Sequence, residues 1–227
     1  MTGSVVSASS HEGPLQGHAS LNTDTTKERQ LLYKGIVWSN IYHRFIGNQY
    51  LFSEDFLPSE ITFDGHTFRN VNLRYDIVSD ELMIPLGLDE IIQLNKEMVD
   101  SFTLNFDKRE YHFKNIRNDS ILGEPGYFNV LYEGNSSLYV RFSKRVMTVI
   151  TDKSDGYFEE SRRLLLLMKG KVYRITSMRD IYTILPHDAD MIRDYIHEQK
   201  LKVRRKNPGS FVPVIRYIDK FGGEGNK

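Results

Sequence analysis

The chain has 227 residues in which thirty Lys and Arg balance thirty Asp and Glu, so no global field draws it to nucleic acid or to an acidic membrane surface. Cysteine is absent, which excludes disulfides, thiolate nucleophiles, iron–sulfur clusters and cysteine-held zinc. No apolar run approaches the roughly 18 residues of a membrane-spanning helix, and a chain of this length can bury a core as one domain.

Residues 1–27 are rich in Ser, Thr and Gly and lack both the basic start and the apolar core of a secretory signal. Their composition predicts a disordered leader, because it cannot bury enough surface to offset chain entropy. Residues 28–221 are expected to form a single β-rich domain, with a sheet over 49–176, helices over 177–221 and a flexible tail at 222–227. From Glu28 to Asn48 the pattern is mixed and fits a short helix or a first strand. Gln49 to Ser53 reads as a strand, and Pro58 breaks the chain. Ile61 to Asp64 is the next strand, and Asp64-Gly65 is a strong signal for a tight hairpin.

The stretch from Ser59 to Phe106 alternates apolar and polar residues almost without interruption. Val71, Leu73, Tyr75 and Ile77 share one parity, followed by Leu82, Ile84 and Leu86, then by Phe102, Leu104 and Phe106. A period of two places alternate side chains on one face, so the pattern predicts a half-buried antiparallel meander. Strands are expected at about 67–77, 81–86, 90–95, 98–106 and 109–116. A polar loop at 118–125 separates them from a second block at 127–133, 137–149, 164–168 and 172–175, with a polar turn at 152–156. After Ser177, a plausible N-cap, Met178, Ile181, Tyr182 and Leu185 fall at helical spacing. Pro186 ends that helix, Asp188 can cap the next, and Pro208 to Ile218 suggests a last one. The predicted class is α+β, mostly antiparallel β as a curved meander, sandwich or barrel-like sheet, with a short C-terminal helical segment.

Reactive chemistry is hard to find. The seven His form no HxH or HExxH pair, and there is no nucleophile elbow or phosphate-binding glycine loop. Asp152 to Gly156 has the wrong spacing for a calcium loop and reads as a turn. Asp80-Glu81 and Glu159-Glu160 read as turn carboxylates. The basic run Lys200, Lys202, Arg204, Arg205, Lys206 reads as a solvated helix end. Tyr127, Phe128, Tyr132 and Tyr139 suit cross-strand packing better than base stacking, so nucleic acid is not expected as a partner. No catalytic, cofactor-binding or metal-ligating residue is assigned, and no cofactor is implied.

Two stretches carry a resemblance. Phe63-Asp64-Gly65-His66-Thr67-Phe68-Arg69-Asn70-Val71-Asn72-Leu73-Arg74-Tyr75-Asp76, followed by Asp80-Glu81-Leu82, resembles a hairpin pattern recurring in β-rich cell-envelope proteins of the Bacteroidota. Gly126 to Gly134, with Leu138-Tyr139 and Lys144, is similar to the second block of those proteins. Tyr173-Arg174-Ile175, Ser177 and the helix to Leu185, then Ile196 to Leu201 and Tyr217, are similar to their ending. The resemblance spans roughly residues 30–221 and rests on packing motifs. It implies a non-enzymatic periplasmic accessory protein associated with an outer-membrane β-barrel or secretion complex. The group includes the periplasmic plug of the type 9 secretion translocon. Asp24-Thr25-Thr26 and Asp119-Ser120-Ile121 resemble the short O-glycosylation acceptor sites of this group. Two other readings stay open: a small-ligand carrier in a curved-sheet cavity, and an envelope enzyme with a dispersed carboxylate site.

Overall fold

The computed structural model describes residues 31–33, 35–87, 90–149, 151 and 153–221. The predicted leader, the tail, the Asp24-Thr25-Thr26 site and Asp152 lie outside these residues.

Twelve strands form one sheet: β1 (Ile36–Val37), β2 (Phe45–Ile46), β3 (Leu57–Phe63), β4 (His66–Asp76), β5 (Glu81–Leu86), β6 (Glu90–Gln93), β7 (Val99–Phe106), β8 (Arg109–Ile116), β9 (Gly126–Glu133), β10 (Ser136–Thr148), β11 (Gly156–Met168) and β12 (Lys171–Ile175). Their order is β1-β6-β5-β4-β3-β7-β8-β9-β10-β11-β12, with β2 added in parallel to the start of β11. Every other pairing is antiparallel. The expected α+β class with a mostly antiparallel sheet is what the chain adopts.

Tight turns set the register. Asp64-Gly65, Asp107-Lys108 and Lys169-Gly170 each have both residues at positive φ, between 49° and 76°. That is the mirror-image turn whose twist matches paired strands. Each joins the two partners of a hairpin: Phe63 with His66, Phe106 with Arg109, and Met168 with Lys171.

The sheet curls until the end of β4 reaches β10. Lys144 N donates to Ile77 O at 2.8 Å, and residues 49–51 run alongside, with Ile77 N on Gln49 O and Leu51 N on Tyr75 O. Inside the curl, Leu73, Tyr75 and Ile77 are buried as the alternation predicts. Phe102 and Phe113 stack at 4.7 Å, and Tyr75 and Tyr127 meet them edge-on. The interior is filled by rings. The C-terminal segment covers the rest of this face. Short helices α1 (Asp119–Leu122) and α2 (Met178–Ile184) precede α3 (Ala189–Glu198), and a 3-10 turn at Pro208–Phe211 leads into α4 (Val212–Phe221). Phe211, Val214, Ile215 and Ile218 join Leu138, Val140 and Leu166 in the main core.

Three local expectations change. Gln49 to Ser53 is no strand but a single bridge, Tyr50 to Asp76, followed by Phe52 at φ 67°. The bend brings the Phe52 ring to stack on Phe106 at 5.0 Å. Pro58 does not break the chain: it lies within β3 opposite Asn72, and pairing with β7 begins only at Ser59, so no amide proton is missed there. Finally, β11 starts at Gly156 and not near Leu164. Its polar half, Gly156 to Arg163, pairs rung by rung with the polar half of β10, so Glu159 and Glu160 are strand residues facing Arg145 and Lys144.

Candidate functional site

Four features could carry chemistry or binding. The first is a buried ionic clasp. Asp80 turns the chain between β4 and β5 at φ 62° and is 9% exposed. Its Oδ1 accepts from Tyr75 Oη at 2.5 Å and Arg141 Nη1 at 2.7 Å. Its Oδ2 accepts from Lys96 Nζ at 2.5 Å and Tyr127 N at 3.3 Å. Arg141 Nη1 also donates to Tyr127 O at 2.7 Å, with its guanidinium over the Phe128 ring. Gly126, at φ 135°, makes room: a Cβ there would lie 2.6–2.7 Å from the Arg141 nitrogens. Burial holds the Tyr75 hydroxyl well above its usual range. Both carboxylate oxygens are doubly occupied, so the clasp rivets the seam of the curled sheet.

Beside it, burial pushes the Glu81 carboxyl up to about 7, against the opposing pull of Lys96. Between its ordinary 4.5 and about 7 the folded chain holds a proton that the unfolded chain has lost. Stability therefore falls as pH rises through that window, and the penalty is complete above it. Glu81 is only half-buried, so solvent screening reduces the penalty to about 1–2 kcal/mol. Glu81→Gln is expected to match the parent near pH 4 and to gain that amount near pH 8 in urea unfolding. Parallel pH profiles for the two chains would refute this assignment.

The second feature is a cationic cage on the same seam. The Arg74 guanidinium lies 4.2 Å from the Tyr50 ring, 4.4 Å from Phe56 and 5.4 Å from Trp38, and Nη1 donates to Glu54 O. Its Nε and Nη2 are buried without a hydrogen-bond partner, and burial lowers its pKa. Ring faces substitute for water around this cation. Nearby, Lys144 Nζ donates to Asn48 O at 2.9 Å and Tyr50 O at 2.6 Å. These contacts tie residues 48–56 to β4 and β10.

The third feature is an arm. β10 and β11 continue as a thirteen-rung ladder to which β2 adds a side. Tyr42, Phe45 and Phe158 form an aromatic cluster. Ile46 pairs with Tyr157, which pairs with Met147. Residues in register share a face, so these three make a row, and Val149 follows two residues beyond Met147. Ile46 is 66% exposed, Val149 51% and Tyr157 43%.

The fourth is a cleft of about 390 Å³ where the 3-10 turn at Pro208–Phe211 meets β8 to β11. Phe52, Tyr111, Val140 and Phe142 give it an apolar floor, and Arg109, Arg162, Lys206 and Glu110 stand around it. Asn129, buried on the wall, donates from Nδ2 to His112 O at 2.9 Å.

Sequence reading missed all four as sites. Asp80 looked like a turn carboxylate because its partners lie 5, 16 and 61 positions away. The basic run near Lys200 ends in the turn before Pro208, so Lys206 borders the cleft instead of a helix end. In the polar loop at 118–125, Leu122 is buried and Glu124 pairs with Arg163, while Ile121 is exposed. His187 and the carboxylates at 188 and 190 lie at the start of α3, apart from these features. Among the described residues no helix is long and apolar enough to cross a membrane. No known family, curated protein or solved structure matches the chain.

Proposed function

We propose that this is a non-enzymatic binding protein of a bacterial envelope that docks on an outer-membrane β-barrel assembly, in the manner of a periplasmic plug of the type 9 secretion translocon. The observation that carries the docking role is the exposed row of Ile46, Tyr157 and Val149 on the β10–β11 arm. Apolar side chains held in register on a rigid ladder give low-entropy contact area, and an aromatic among them is the usual anchor of an interface. The ring-filled interior favours this role over a carrier that encloses its ligand in the sheet. The compartment rests on the resemblance of residues 30–221 to Bacteroidota envelope proteins.

Purification of the tagged full chain from detergent-solubilised envelopes tests the proposal. A large outer-membrane β-barrel should co-purify with the parent and be lost from an Ile46→Glu/Tyr157→Glu variant. Recovery of the bait alone, or equal recovery with the variant, would overturn it.

A further inference from the structure

We infer that the cleft under the Pro208 turn is a binding site for a small dianion carrying a flat apolar body, such as an aromatic phosphomonoester or dicarboxylate. The inference is independent of the docking role, since none of Ile46, Tyr157 and Val149 borders the cleft.

Charge is the first argument. The chain as a whole is neutral, yet three cations, Arg109, Arg162 and Lys206, face this cleft against one carboxylate, Glu110. Glu110 lies 3.7 Å from His112 Nε2, and Arg162 spends its Nε on Glu160 at 3.3 Å. Among the described residues no carboxylate pairs with Arg109 or Lys206. The excess continues into an adjoining crevice that shares Arg162 and Pro208 and adds Arg174 and Arg205. Elsewhere on the sheet, exposed cations such as Arg69, Lys114, Arg117 and Arg145 each have an acid within 2.6–2.8 Å. What distinguishes the cleft is that its cations gather over an apolar floor.

Shape is the second. The floor offers the ring of Phe142, which contacts Phe52 at 5.9 Å and has the Arg162 guanidinium 5.9 Å above it. A flat group laid against this floor gains ring contact, with the guanidinium beside it as a charged partner. The volume falls within the range of small-molecule sites, about 300–1,000 Å³.

Preorganisation is the third. Lys206 is carried by a pinned turn: Asn207 N donates to Arg204 O at 2.9 Å, Arg204 N to Ser210 Oγ at 2.9 Å, and Ser210 Oγ to Asn207 O at 2.6 Å. Phe211, buried next in sequence, anchors that turn in the core. The backbone that presents the cation is ordered before any ligand arrives, which lowers the entropic cost of binding.

Titration of the ¹⁵N-labelled full chain with phenyl phosphate at neutral pH, with phenol and inorganic phosphate as controls, tests this. Saturable shifts are expected at the amides of Arg109 to His112 and of Lys206, Asn207 and Gly209. Phenyl phosphate should bind about tenfold or more tightly than either control. Arg109→Ala/Lys206→Ala should weaken it by a similar factor or more, and Arg145→Ala should leave it unchanged. If the double variant unfolds, Arg162→Gln and the shift map of the parent decide instead. Linear shifts scattered over the surface, or inorganic phosphate binding as well as phenyl phosphate, would overturn the inference. So would displacement by a single-stranded oligonucleotide with a steep salt dependence, which would make the cleft part of a nucleic-acid surface.

Discussion

Asp80→Ala is expected to remove about 3–5 kcal/mol of stability, the cost of stranding buried charge when one partner of an ion pair is deleted. Among the described residues, the substitution leaves the Arg141 guanidinium, 9% exposed, with only the carbonyl of Tyr127 as acceptor. It also takes the acceptor from the Tyr75 hydroxyl and the carboxylate from Lys96, which keeps only the Asp80 carbonyl. Alanine adds a further cost at the left-handed φ of 62°, a conformation that Asp tolerates better. A domain stable by about 5–15 kcal/mol would lose a large part of its margin. Asp80→Asn should lose less, because its amide oxygen can still accept from Tyr75 or Arg141. The double variant Asp80→Ala/Arg141→Leu should recover about 1–2 kcal/mol over Asp80→Ala alone, since the stranded cation is gone. Guanidinium unfolding of the four chains reads these differences directly. A loss below about 1 kcal/mol for Asp80→Ala, within the range of surface pairs, would mean that the clasp contributes no more than they do.

The contrast between the clasp and the sheet explains what could be read in advance. Alternation is a local signal, so Leu73, Tyr75, Leu82, Phe102 and Leu104 announced both their strands and their buried face. Turn chemistry is local too: Asp64-Gly65 marked a hairpin because left-handed backbone has few willing residues. Pairing between distant segments leaves no such trace. Nothing in the neighbourhood of Asp80 reveals Arg141, and nothing near Lys206 reveals Arg109 or Arg162. The polar half of β11 was invisible for a related reason. Both of its faces are largely wet, so Gly156 to Arg163 shows no apolar alternation, and only its partner in β10 makes it a strand. Pro58 misled because the rule against proline in strands concerns a missing donor, and at the start of β3, before pairing with β7 begins, no donor is required.

Phe113→Ala is expected to cost about 3–5 kcal/mol, at the upper end for loss of a buried ring, and to lower Tm by about 10 °C for a domain of this size. Phe113 stacks on Phe102 at 4.7 Å and meets the Tyr75 ring at 5.5 Å and the Phe142 ring at 6.2 Å. The cost of such a deletion depends on how far the neighbours can relax into the space. Here the largest neighbour is tethered: Tyr75 is held at its hydroxyl by Asp80 and cannot tip into the void without breaking a buried hydrogen bond. Phe113→Leu keeps most of the volume and should cost only about 1–1.5 kcal/mol. The tether can be tested by coupling the two sites. In Asp80→Ala/Phe113→Ala the Tyr75 ring is free to move, so the combined loss should fall short of the sum by about 1 kcal/mol. Additivity within about 0.3 kcal/mol would show that the clasp and the ring stack relax independently, and that the seam does not govern how the core responds to a cavity.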